Sequence, residues 1–200
     1  MLKLEHQTIL IISNEPWGDM WYSKHNWANE LSEKNKVFFI NPPNNWRPAH
    51  LLSSNISITN YSEKLSIINY NNRLPFTRNE LIFRINEFFT TKAILKKMKF
   101  INIIFWSFDP YRFSSPQLFN PIRSIFFRVD IFLLKSRERR LIKNVDGVVV
   151  TAKELLEGVH AKKELVVSHG ISKAEFTSNE NIKYDAGFIL YVGGIDHRLD

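Results

Sequence analysis

Asp109 and Asp130 each follow a short apolar run: 101–106, which ends at Ser107-Phe108-Asp109-Pro110, and 124–129, which ends at Asp130. A carboxylate held at the end of such a run can orient or deprotonate a hydroxyl group. Each also reads as a helix cap or a turn residue, and Pro110 makes a turn attractive at Asp109. Exchange of Asp109 for asparagine keeps the shape of the side chain, so it is expected to disturb chemistry more than folding. A second group of candidates, for substrate binding, lies in the polar stretch 14–22, with Trp17, Gly18 and Asp19. Gly18 lets a backbone approach a ligand closely, or simply permits a tight turn. His169 and the pair Gly193-Gly194 follow later apolar runs and are further binding candidates.

These residues form no metal or nucleophile signature. No pair of histidines has the helical spacing of a zinc hydrolase, so no metal is expected. The chain has no cysteine, which removes disulfides, thiolate nucleophiles and Cys-ligated zinc. A Walker loop, a complete dinucleotide glycine fingerprint and a G-x-S-x-G elbow are all absent. ATP hydrolysis, hydride transfer and serine esterase chemistry lose support accordingly, and no bound cofactor is expected.

The elements that must carry the candidates follow from hydrophobic periodicity. Residues 8–13 are a short, β-branched apolar run, the pattern of a strand buried on both faces. Ser23 is placed to cap a helix running to about Lys34, with Trp27, Ala28 and Leu31 inward. Residues 36–40 read as a strand stopped by Pro42-Pro43, and 56–59 and 65–70 as short strands or a hairpin. A long helix is expected from Thr77, with Ile82, Ile85, Phe89 and Ala93 as its inner stripe. Strands follow at 101–106, 124–129, 147–150 and 165–167, with helices at 134–144 and, capped by Thr151, at 152–157. The alternation predicts an α/β fold: a Rossmann-like, doubly wound parallel sheet of about six or seven strands. Ligands collect beyond the carboxyl ends of such strands, so the 14–22 loop, Asp109 and Asp130 are expected to converge on one cleft.

Composition narrows the partners. At 200 residues and 44% hydrophobic the chain can bury a substantial core. Its formal net charge of +7 is uneven: residues 120–144 hold seven basic side chains against two acidic ones. That stretch faces water, or an anion such as a membrane headgroup, a nucleic acid or a phosphorylated substrate. The aromatic residues lie mostly inside apolar segments, which favours core packing over a base-stacking platform and makes nucleic acid the less favoured partner. No apolar run is long enough to span a membrane, and the first residues lack the pattern of a signal peptide, so a cytoplasmic protein is expected.

Residues 177–185 are a polar interruption between two apolar runs. The expected organisation is a domain at 1–176, a linker at 177–186 and the opening of a second domain at 187–200. Several segments, in order, then resemble bacterial GT-B glycosyltransferases of polysaccharide, teichuronic-acid-like or lipopolysaccharide assembly. They are Trp21-Tyr22-Ser23-Lys24-His25-Asn26-Trp27-Ala28-Asn29-Glu30-Leu31, Lys36-Val37-Phe38-Phe39-Ile40-Asn41-Pro42-Pro43 and Asn144-Val145-Asp146-Gly147-Val148-Val149-Val150-Thr151. Val167-Ser168-His169-Gly170-Ile171, with Phe176, is similar to the element that ends the family's amino-terminal domain, although His169 replaces the usual asparagine. Tyr191-Val192-Gly193-Gly194-Ile195-Asp196 resembles the first strand and glycine loop of the carboxyl-terminal domain.

The resemblance implies a two-domain enzyme that takes its acceptor mainly from the amino-terminal half and a nucleotide-sugar from the other. It implies a saccharide or lipid-linked acceptor, with no resident metal and the nucleotide-sugar as co-substrate. The donor-binding side chains would then lie beyond Asp200, and this chain alone would be inactive. A rival reading is a non-catalytic basic α/β module that binds nucleic acid or an anionic membrane through 120–144. A GT-B epimerase acting on nucleotide-sugars is a second rival.

Overall fold

β1 (Thr8–Ile12) lies near the middle of the sheet, buried from Ile9 onward. Its neighbours are β2 (Lys36–Ile40) on one side and β5 (Ile103–Ser107) on the other, both parallel to it. Beyond β2 come β4 (Leu65–Asn69), parallel, and β3 (Ser57–Asn60), an antiparallel edge. Beyond β5 come β6 (Arg123–Arg128), β7 (Gly147–Val150) and β8 (Glu164–Val166), all parallel. The order is thus β3-β4-β2-β1-β5-β6-β7-β8. The structure is a computed structural model and describes residues 4–51, 55–98, 102–132 and 135–170. The linker at 177–186, the expected strand at 187–192, and Gly193 and Gly194 lie outside the described residues.

Because successive strand side chains point to opposite faces, one apolar run supplies two cores. Leu10, Ile12, Phe38, Ile40, Phe105 and Val148 face α2 (Glu80–Met98) and α3 (Lys135–Asn144), meeting Ile94, Leu141 and Ile142. Ile9, Ile11, Val37, Phe39, Ile104 and Trp106 face the other way, onto Ala28 and Leu31 of α1 (Ser23–Ser32). Helices on both faces of a mainly parallel sheet make the predicted Rossmann-like α/β fold. The sheet has eight strands, one more than expected at most, because both short segments before α2 join it as a hairpin.

Three local expectations are corrected. The residue before α1 is the extended Tyr22, and its N–H donates to Nδ1 of His25 at 3.0 Å, so His25, not Ser23, satisfies the helix entrance. α2 starts after Asn79, whose side chain accepts from the N–H groups of Leu81 and Ile82 at 3.0 and 3.2 Å. Its inner face is Phe83, Asn86, Glu87, Thr90, Thr91 and Ile94, while Phe89 is 40% exposed beneath the guanidinium of Arg73. The physical reason is loop backbone: Asn86 bonds both the N–H and the carbonyl of Leu74 at 2.9 Å, and Glu87 accepts from the N–H of Ser115 at 3.0 Å. Thr151 caps nothing, since the next helical turn, Lys153–Leu156, is preceded by Ala152 and has no side-chain cap.

The basic stretch is also less exposed than its charge suggests. Arg128 is buried against Glu138 at 2.6 Å and bonds the carbonyl of Leu155. Arg137 is buried over the ring of Phe83 and bonds the carbonyl of Thr77, and Arg140 pairs with Glu80. Among the α3 cations, Lys135, Arg139 and Lys143 are exposed.

Candidate active site at the strand ends

The strand order reverses between β1 and β5, where one half of the chain winds outward and the other winds back. Each of these strands is followed by a fully buried serine turn. The Ser13 hydroxyl donates to the carbonyl of Glu15 at 2.6 Å and accepts its N–H at 3.2 Å. The hydroxyl of Ser107 does the same for Asp109, at 2.9 and 3.1 Å. The two acidic residues are therefore set by matched local turns on either side of the crevice.

Arg112 ties the strand ends together. Its Nε donates to Asp109 at 2.6 Å, and its Nη1 donates to the carbonyl of Asn41 at 2.7 Å and the hydroxyl of Tyr70 at 3.0 Å. Its Nη2 donates to the carbonyl of Ser13. The ends of β1, β2, β4 and β5 thus share one guanidinium. Burial opposes the charge of Arg112, but the hydrogen bond to the Tyr70 hydroxyl and the Asp109 carboxylate outweigh it and hold the group above its ordinary value. Burial raises the Tyr70 phenol, which stays neutral and can serve Arg112 as an acceptor.

Lys24 enters from the first turns of α1. Its ammonium donates to Asn14 at 2.6 Å and pairs with Glu15. Burial pulls it down to about 8, against the opposing pull of Asp109. An amine in that range sits close enough to neutrality to exchange a proton or to meet an incoming anion. Burial also lowers His25, whose Nε2 faces the carbonyl of Pro16 at 3.1 Å.

The loop after β1 lies against these groups. The Trp17 N–H donates to the side chain of Asn41 at 2.8 Å, and the Trp17 ring meets Phe39, Trp21 and Tyr61 at centroid distances of 5.0, 5.1 and 4.8 Å. Trp21 and Tyr61 are 38% and 52% exposed, so this cluster presents flat aromatic surface to solvent. Gly18 has open space where a side chain would go, and its carbonyl accepts from the Trp21 indole at 3.1 Å. Asp19 is exposed.

The sequence candidates therefore divide. Asp109 and the Trp17 loop meet the same cluster, through Arg112 on one side and Asn41 on the other. Both carboxylate oxygens of Asp109 are engaged, one by Arg112 and one by the Tyr111 N–H at 2.7 Å. Asp130 is exposed after β6 and accepts from the N–H of Ile131 at 2.7 Å. His169 is exposed beyond β8. Lys24, Arg112, Asn41 and Tyr70 complete the cluster, and only Asn41 had a local signal, its place before two prolines. Among the described residues no group of three or more His, Asp or Glu side chains could hold a metal ion, and no helix is long and apolar enough to cross a membrane.

Comparison with known proteins places the fold. No protein-family model matches the chain, and no curated protein matches it. Among solved structures, the chain is similar to an alpha,alpha-trehalose 6-phosphate synthase from Burkholderia multivorans, with a TM-score of 0.51 and 7% identity. The match covers 78% of this chain and 41% of that one, so the chain spans less than half the length of the enzyme it resembles. The likeness is one of fold, that of a GT-B glycosyltransferase.

Proposed function

We propose that this chain is the acceptor-side part of a glycosyltransferase that moves a sugar from a nucleotide-sugar to a polysaccharide or lipid-linked acceptor at the inner face of a membrane. The observation that carries the reading is the polar cluster of Lys24, Asp109 and Arg112 at the reversal point of a sheet whose fold matches a sugar transferase. In this reading Trp21 and Tyr61 offer flat surfaces to the apolar face of a sugar ring, beside Trp17, Gly18 and Asp19. Asp109 sets Arg112 and the charge around Lys24, while Asp130, exposed after β6, stands outside this cluster. His169, beyond β8, is a further binding candidate in this reading. Donor-binding groups would come from a further domain, so the chain alone would bind acceptor without turning it over.

Binding by the chain tests this directly. Neutral oligosaccharides are expected to shift the indole N–H signals of Trp17 and Trp21 in NMR spectra, and Trp21→Ala to abolish the response while the remaining spectrum persists. A chain whose indoles respond to no saccharide, but which binds RNA with a steep salt dependence, would be the basic module of the rival reading.

A further inference from the structure

A second groove lies at the other side of the sheet's carboxyl edge, between the segment after β2, the start of β3 and the last turns of α2. Its volume is about 1040 Å³, and it shares no lining residue with the Lys24–Arg112 cluster. Asn44 and Asn71 join across its floor in a parallel bridge, with Asn45 beside them. Arg47, Lys96 and Lys97 stand around it, and among the described residues no aspartate or glutamate lines it. Lys97 bonds the carbonyl of Ile56, whereas Arg47 and Lys96 form no ion pair among the described residues. Asn71 is 2% exposed, and its side-chain NH₂ is buried with no hydrogen-bond partner among the described residues.

We infer that this groove binds a phosphorylated saccharide. An unmade buried donor is a standing cost that a ligand acceptor relieves. Three cations without a carboxylate suit a phosphate monoester, which carries close to two negative charges near neutral pH. The amides of Asn44, Asn45 and Asn71 both donate and accept, as a row of sugar hydroxyls requires. Among the described residues no Phe, Tyr or Trp lines the groove, so they offer nothing on which a nucleobase would stack. Its size exceeds what a lone phosphate would fill. The inference stands apart from the sugar-transfer reading, because it concerns different residues and binding alone.

Calorimetric titration of the chain with glucose 6-phosphate, glucose and inorganic phosphate tests it. Glucose 6-phosphate is expected to bind at least about tenfold more tightly than either part. The surface variant Arg47→Gln/Lys96→Gln should lose about tenfold of that affinity with an unchanged circular dichroism spectrum. In amide NMR spectra the side-chain NH₂ of Asn71 should shift on binding. Equal binding of phosphate and glucose 6-phosphate, affinity untouched by the double variant, or preference for single-stranded RNA would each overturn the inference.

Discussion

Arg112 bonds groups on four segments, so its loss would leave the Ser13 and Asn41 carbonyls and the Asp109 carboxylate without their shared donor. Breaking a buried ion pair from one side is strongly destabilising, and Arg112→Met is expected to cost about 3–5 kcal/mol in urea unfolding. Asp109→Asn keeps the shape but leaves the guanidinium uncompensated, so a loss of about 2–3 kcal/mol should accompany any loss of turnover. His25 gives a pH dependence. Its folded value lies below the ordinary one of about 6.5, so between the two the unfolded chain binds more protons. Stability should therefore fall as pH drops through the ordinary histidine value and continue to fall to the lowered one. The melting temperature of the chain should drop from pH 7.5 to pH 5 more than that of His25→Gln, whose amide also suits the third helical position; equal drops would clear His25 of the effect. The role of Arg112 was not legible in the sequence, because most of its partners are remote: Arg112 and Asn41 are 71 positions apart. Asp109 was legible as a strand-end carboxylate, whereas its engagement by Arg112 depends on how the loop folds back.

At the scale of elements, the apolar strands declared themselves, since parallel strands covered on both faces need unbroken apolar runs. α2 did not, because its buried face is mostly polar. Asn86 and Glu87 look like solvent residues by type, and only the loops at Leu74 and Ser115 give them a reason to be inside. Asn86→Ala would leave the Leu74 N–H and carbonyl unpaired, and is expected to cost about 2 kcal/mol in thermal or chemical unfolding. The basic α3 was legible as a helix but misread as a uniformly exposed one. Arg137 and Arg140 hold the start of α2, so replacing them tests the fold and not the membrane. Lys135, Arg139 and Lys143 recur every fourth residue and are exposed together, making them the fair test of a membrane-facing surface. If α3 rests on anionic lipid, changing all three to glutamine should weaken binding to phosphatidylserine vesicles, each cation near such a surface contributing about 1 kcal/mol. Vesicle binding that survives the triple exchange would locate it elsewhere.

For the whole molecule, a strand order that reverses beside β1 gathers the polar groups of the cluster at the carboxyl ends of the strands. That arrangement explains why residues scattered from Asn14 to Arg112 meet, and why the sheet resembles a sugar-transferring enzyme at 7% identity: the resemblance lies in the winding, and the side chains are this chain's own. The central claim is that this surface receives the acceptor of a glycosyl transfer completed by a donor-binding domain. The measurement that tests it most directly is transfer of radiolabelled sugar from a panel of nucleotide-sugars to saccharide and lipid-extract acceptors. It should be made with the chain alone and with a longer protein in which the chain is joined to a donor-binding domain. The account predicts labelled acceptor only from the longer protein, reduced about a hundredfold or more by Asp109→Asn at a temperature where both proteins remain folded. Failure of the folded longer protein to label any acceptor, or turnover undiminished in the Asp109→Asn variant, would contradict it.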